Sequence, residues 1–108
     1  MKRAAALPLL VGSLLFSAPA IAEEEKMTCN NPKRSYEAVF DAAVNSFTIV
    51  SAGPTASYQV EKSEKTASGT VVTGKTLDGG PGFVAHFGTD KRIEFIDDGQ
   101  VIQTDSCQ

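Results

Sequence analysis

The sequence predicts an all-β domain, a small antiparallel barrel of eight strands that is closed by a disulfide bond. Short apolar stretches alternate with turn residues at intervals of about ten positions, a spacing typical of all-β domains. An even number of strands in an antiparallel meander allows the first and the last strand to pair and close a barrel. The two cysteines, Cys29 and Cys107, lie in these two strands, and a bond between them requires the strands to be close together.

The first 22 residues have the pattern of a secretory signal peptide. A short basic start precedes an apolar run from Ala4 to Phe16 and a small-residue cleavage site, and the run is too short to span a bilayer. We therefore expect residues 1–22 to be removed and residues 23–108 to form a single small β domain. In the periplasm or outside the cell, the cysteines at 29 and 107 would be oxidised.

Turn residues separate the predicted strands along the chain. A charged lead-in precedes the first strand, and Gly53-Pro54 ends the third. Apolar and polar residues alternate in the fourth strand, β-branched residues are frequent in the fifth, and Phe83, Ala85 and Phe87 line one face of the sixth. In chain order we expect the strands near residues 26–30, 35–41, 46–52, 57–64, 69–77, 82–88, 91–97 and 100–107.

Residues 33–46 fit two structures. Their apolar residues can form a helical stripe, which would give an α+β fold with one N-terminal helix packed on an antiparallel sheet. That arrangement would resemble small PepSY-like or β-lactamase-inhibitor-like domains. Lys33 and Arg34, however, would oppose the helix dipole at its positive end. Because Tyr36, Ala38 and Phe40 also alternate, we favour a strand followed by a hairpin loop.

The last two strands form the clearest hairpin in the sequence. Asp98-Gly99 supplies the positive φ angles of a tight two-residue turn. Pairing Asp97 with Gln100 puts Ile96 opposite Val101 and Phe95 opposite Ile102, and both are favourable cross-strand contacts.

The charge of the chain limits the classes of partner. Without the basic residues of the signal peptide, eight basic and thirteen acidic residues remain, a formal charge of −5. Nucleic acids and anionic membrane surfaces favour basic faces, so this balance argues against both. It favours a cationic protein partner.

Catalytic chemistry is not expected. Nucleophilic schemes need a base beside the nucleophile, and the only histidine, His86, lies on the strand face opposite the apolar residues, where we expect it to be solvated. One histidine and two oxidised cysteines match no metal-ligand spacing, and Asp97-Asp98-Gly99 lacks the other ligands of a calcium loop. We therefore predict a protein that is not an enzyme and that carries neither a metal nor a cofactor.

Two loops are the candidate partner-binding sites. Thr66-Ala67-Ser68-Gly69-Thr70 presents a small hydroxyl on a bend, and Thr89-Asp90-Lys91-Arg92 presents two adjacent cations on a turn. A hydroxyl and a cation suit a partner cleft lined by carboxylates, because charge-assisted hydrogen bonds are strong. The predicted partner-binding residues are Ser68, Gly69, Lys91 and Arg92.

Residues 66–107 resemble the periplasmic and membrane-bound inhibitors of C-type lysozyme. Thr66-Ala67-Ser68-Gly69 is similar to a Ser-Ala-Ser-Gly loop of that family, and Asp98-Gly99 followed by Cys107 resembles its closing hairpin. The resemblance implies an eight-stranded barrel and insertion of Ser68 and Lys91 into the lysozyme cleft, against its catalytic carboxylates. The alternative functions are a non-enzymatic structural or ligand-binding module of the cell envelope with an unknown partner, and a PepSY-like inhibitor domain.

Overall fold

Eight antiparallel strands account for most of the residues described by the computed structural model, which are 24–51, 55–77 and 79–108. The predicted signal peptide and the Gly53-Pro54 turn lie outside this part of the chain. The strands are β1 (Glu24–Asn30), β2 (Ser35–Asp41), β3 (Ser46–Val50), β4 (Ala56–Thr66), β5 (Gly69–Thr76), β6 (Gly82–His86), β7 (Arg92–Asp97) and β8 (Gln100–Cys107). The predicted positions are therefore confirmed.

The strands form a closed barrel in which each strand pairs with its neighbours in the sequence and β1 also pairs with β8. The closure is short: Cys29 lies opposite Cys107 and Asn30 opposite Ser106, and backbone hydrogen bonds of 2.9 and 2.8 Å join Thr28 to Gln108. The predicted Cys29–Cys107 disulfide is formed across this closure. A disulfide is typical of proteins in an oxidising compartment outside the cytosol.

The helical alternative for residues 33–46 is wrong. Burial alternates along β2, with Tyr36, Ala38 and Phe40 buried, which is the pattern of a strand with one face in the core. The side chain of Asn31 accepts hydrogen bonds from the backbone N–H groups of Lys33 and Arg34, as a helix cap would, but the bonds close the turn between β1 and β2. The described part of the chain contains no helix long and apolar enough to cross a membrane.

The β7–β8 hairpin matches the prediction in part. Asp97 pairs with Gln100 and Ile96 with Val101, as expected. The expected pairing of Phe95 with Ile102 is wrong, because the register shifts there and Phe95 lies opposite Gln103. A β-bulge leaves one residue unpaired and turns the strand, and bulges are frequent at barrel rims.

Aromatic rings fill the middle of the barrel. Phe47 stacks on Phe83 with ring centroids 4.5 Å apart, and Tyr58 and Phe87 meet Phe47 edge-on at 5.8 and 6.3 Å. Such pairs contribute about 0.5–1.5 kcal/mol each beyond their area burial. The rings leave the two ends of the barrel as the places where other molecules can bind.

Candidate functional site

The two loops predicted to bind a partner lie side by side at one end of the barrel. In an up-and-down meander the β4–β5 and β6–β7 connections are at the same end. The backbone N–H of Thr89 donates a 2.9 Å hydrogen bond to the carbonyl of Ser68, and Phe87 N–H donates one of the same length to Thr70 O. We call residues 66–69 and 88–91 the paired loops.

Two glycines allow this close approach. A Cβ on Gly88 would lie 1.5 Å from the carbonyl oxygen of Ser68, and one on Gly69 would lie 2.2 Å from the Cα of Gly88. Gly69 also has a φ of +132°, which side-chain-bearing residues rarely adopt. Both positions therefore require glycine for the loops to remain in contact.

Ser68 is exposed on a loop that Thr66 holds in shape. The Oγ1 of Thr66 donates to Gly69 O at 2.9 Å and accepts from the backbone N–H of Ser68 at 3.2 Å. The Oγ of Ser68 lies 3.1 Å from the same Thr66 oxygen. The serine hydroxyl is thus oriented by its own loop and accessible to a partner.

Lys91 is less free than the sequence indicates. Its Nζ donates a 3.0 Å hydrogen bond to the carbonyl of Gly88, and its side chain is half-buried. The carbonyl of Lys91 accepts a 3.1 Å bond from the N–H of Cys107, so the turn is fixed to the last strand. An ammonium carries three donors, and the Gly88 bond leaves two of them for a partner.

Arg92 belongs to a row of charged side chains on the outer face of β6, β7 and the turn between them, which we call the outer charged row: His86, Asp90, Arg92 and Glu94. The Nη1 of Arg92 lies 2.6 Å from the Oδ2 of Asp90, and its Nε lies 3.6 Å from Glu94 Oε2. His86 Nε2 lies 3.0 Å from Glu94 Oε1. The hydrogen bond from His86, with the nearby Arg92, lowers the pKa of Glu94 from its ordinary value.

His86 therefore differs from the expectation of a solvated histidine. It faces outward as predicted, but it is half-buried and held by Glu94. The sequence contains an indication of this contact. Arg92 and Glu94 take the outward positions of β7, the strand that pairs with β6, which carries His86.

A cleft of about 210 Å³ lies between the paired loops and the outer charged row. Three of the four predicted partner-binding residues line it, Ser68, Gly69 and Arg92, whereas Lys91 does not. The part of the chain that the structure describes contains no group of three or more His, Cys, Asp or Glu side chains that could hold a metal ion. The cleft presents hydroxyls, backbone groups and a paired arginine, which is a surface suited to polar recognition.

The opposite end of the barrel contains a second cavity, of about 280 Å³, which we call the mouth cavity. Asp105, only 1% exposed, is among its lining residues and accepts hydrogen bonds from the Tyr36 hydroxyl and, at 2.8 Å, from the Gln103 amide. Burial and the bond to Asp105 raise the pKa of Tyr36, so its hydroxyl remains a donor. This site could not be predicted from the sequence, because an Asp in a strand of polar residues gives no sign that it faces inward.

Comparison with known proteins gives no match for this chain among protein-family models, curated proteins or solved structures. Its function is therefore inferred from its own residues and their geometry.

Proposed function

We propose that this chain is an exported binding protein, without catalytic activity of its own, that inhibits a cell-wall hydrolase of the C-type lysozyme kind by placing the paired loops in the enzyme's cleft. The observation that carries the proposal is the hydrogen bond from Thr89 N–H to Ser68 O. It joins two loops that are far apart in the sequence into one surface. On that surface the hydroxyl of Ser68 and the cation of Lys91 belong to the same barrel end.

The chemistry of the two groups suits a cleft with two carboxylates. Glycosidases of this type use a pair of acidic residues that flank the scissile bond. The hydroxyl of Ser68 can donate to one carboxylate, and the free donors of Lys91 can pair with the other. Arg92, already paired with Asp90 and Glu94, keeps the cleft wall rigid beside them.

Charge and compartment support the same function. The exported part of the chain has a formal charge of −5, and complementary charge speeds the capture of a basic enzyme. A disulfide is typical of an oxidising compartment, and with the signal-peptide pattern it favours the periplasm or secretion as the location. A cell-wall hydrolase acts in these same compartments.

Inhibition of a C-type lysozyme tests the proposal. Purified disulfide-bonded protein is added to lysozyme, and lysis of wall fragments is followed by turbidity. We expect inhibition that the double substitution Ser68→Ala with Lys91→Ala weakens by roughly a hundredfold, because two hydrogen bonds to carboxylates are lost.

The matched control carries the same two changes at the opposite end of the barrel, Ser57→Ala with Lys33→Ala. Both are exposed, and we expect this variant to inhibit like the wild type. Thermal unfolding of all three proteins shows whether the loop variant is folded. Absence of inhibition by the wild-type protein would contradict the proposal and favour a structural or ligand-binding role in the envelope.

A further inference from the structure

Asp105 is a buried carboxylate, and the described part of the chain places no cationic side chain in contact with it. Its two hydrogen-bond donors, the Tyr36 hydroxyl and the Gln103 amide, are both neutral. Within residues 24–51, 55–77 and 79–108, no Lys, Arg or His nitrogen lies within 4.0 Å of its oxygens. A buried charge is costly unless it is paired, so the carboxylate can still gain from a bound cation.

The β8 bulge helps to build this end of the barrel. The shift in register places Gln103 opposite Phe95, and all three of Phe95, Ile102 and Gln103 line the mouth cavity. Gln103 in turn donates to Asp105. The irregularity that the sequence did not predict therefore positions a polar group beside the buried carboxylate and apolar groups around it.

The walls of the mouth cavity combine apolar and aromatic side chains with polar ones. Ile49, Tyr58, Phe95 and Ile102 line it together with Tyr36. Binding pockets for small molecules are in general apolar, with a few polar groups that fix orientation. Aromatic rings beside a carboxylate also suit an ammonium, because the ring faces attract cations.

The hydroxyl of Thr76 is a second polar group at the mouth cavity, and it lacks a hydrogen bond to the described residues. Thr76 lines the mouth cavity, and its Oγ1 is buried without a hydrogen-bond partner among the described residues. Buried hydroxyls are usually hydrogen-bonded, and an unsatisfied one indicates a site that another molecule can complete. This observation is independent of the charge of Asp105 and lies at the same end of the barrel, where Thr76 lines both the mouth cavity and a neighbouring one.

We propose that the mouth cavity is a binding site for a small organic amine with an apolar body, whose ammonium group pairs with Asp105. A volume of about 280 Å³ limits the ligand to a small molecule. Arg34 also lines the cavity, and its positive charge disfavours a second cation on the ligand, so the end of the ligand away from the ammonium is neutral or anionic.

The site lies at the barrel end opposite the paired loops. Asn31, Arg34 and Pro81, which line it, belong to the β1–β2 and β5–β6 connections, whereas the paired loops belong to β4–β5 and β6–β7. Amine binding and lysozyme inhibition can therefore be measured separately, and the failure of one leaves the other unaffected.

Three phenylalkyl probes of similar shape, one cationic, one neutral and one anionic, test the role of charge. ¹⁵N-labelled, disulfide-bonded wild-type protein is titrated with 2-phenylethylamine, 2-phenylethanol and 3-phenylpropionate at millimolar concentrations. We expect the amine to shift the amide resonances of Gln103, Ile102 and Thr76, and to bind roughly tenfold to a hundredfold more tightly than the alcohol. Equal binding of amine and alcohol, tighter binding of the acid, or no shift at these residues would overturn the proposal.

Asp105→Asn tests the carboxylate itself. The substitution keeps the shape of the side chain and removes its charge. We therefore expect the affinity for the amine to fall roughly tenfold to a hundredfold, while the affinity for the alcohol stays the same. Asp97→Asn, at an exposed position of the same hairpin, is the matched control and should bind the amine like the wild type. Unchanged amine binding by folded Asp105→Asn would overturn the proposal. If that variant does not fold, the preference of the wild-type protein for the amine over the alcohol and the acid tests the proposal instead.

Discussion

Tyr36 and Asp105 are 69 residues apart in the sequence, and inside the barrel the hydroxyl of the first donates a hydrogen bond to the carboxylate of the second. Both side chains are buried. The bond connects the second strand to the last, across the seam where the barrel closes. The hydroxyl and the carboxylate that line the mouth cavity therefore also stabilise the closed barrel.

The first prediction concerns this bond. Tyr36→Phe removes one of the two donors to a buried carboxylate, and we expect the free energy of unfolding to fall by about 1–3 kcal/mol. Urea denaturation followed by circular dichroism measures the change. Tyr58→Phe is the control, because the described residues offer its hydroxyl no hydrogen-bond partner, and its ring contacts are kept. An equal loss in both variants would contradict the role given to the bond.

The second prediction concerns the contact between the paired loops. In Gly88→Ala the new Cβ would meet the Ser68 carbonyl, which is backbone and cannot move without opening the loops. We expect the free energy of unfolding to fall by about 1–3 kcal/mol, the range for overpacking, and lysozyme inhibition to be lost. Gly82→Ala, whose nearest contact would be a tight but tolerable 3.2 Å to Gly74 O, should inhibit normally. Normal inhibition by Gly88→Ala would contradict the role of the paired loops.

The third prediction concerns the disulfide. Replacing both cysteines by serine should lower the free energy of unfolding by about 2–5 kcal/mol, because the bond spans 78 residues and holds the shortest strand pairing of the barrel. Chemical denaturation of the two proteins measures the difference. Dithiothreitol should destabilise the wild type and leave the serine variant unchanged. Two free thiols in protein isolated from its own cells would show that the bond is not its natural state.

The fourth prediction concerns pH. Because the folded-state pKa of Glu94 is lowered, chiefly by the hydrogen bond from His86, the carboxylate contributes stability at neutral pH. That contribution is fully present above the ordinary pKa of 4.5 and is lost as the pH falls through the lowered value. Glu94→Gln should therefore be less stable than the wild type at pH 7, and the difference should shrink on acidification.

Denaturation curves at pH 7 and at about pH 3 measure this difference. Glu37→Gln, at an exposed position on the outer face of β2, controls for the loss of one negative charge. The difference in the free energy of unfolding between the wild type and Glu94→Gln could also stay constant over this range. That result would show that the interaction with His86 does not depend on ionisation of Glu94.

Alternation and turn chemistry made most of the fold predictable. The inward positions of β2 and β6 are apolar at every second residue, and Asp98-Gly99 has the positive φ angles of a tight turn, at +54° and +78°. The position of the two cysteines then predicted which strands meet. These features are local or covalent, so they can be derived without knowing the packing.

The register shift in β8 and the buried Asp105 could not be predicted in this way. β8 reads as a strand of polar residues, and nothing in its pattern marks the bulge or the inward face. Both depend on the tilt at which the barrel closes, a property of all eight strands together. The bond of Lys91 to Gly88 likewise depends on the path of the backbone around the turn.

Because each strand pairs with its neighbours in the sequence, one pairing of the barrel differs in kind from the others. Seven of the eight strand pairings join consecutive strands, so each of them can form as a local hairpin. The eighth pairing joins β1 to β8, and its two cysteines, Cys29 and Cys107, are 78 positions apart. Without the pairing of β1 and β8 the protein would be an open sheet with two exposed edges, and exposed edges are where β proteins associate with one another.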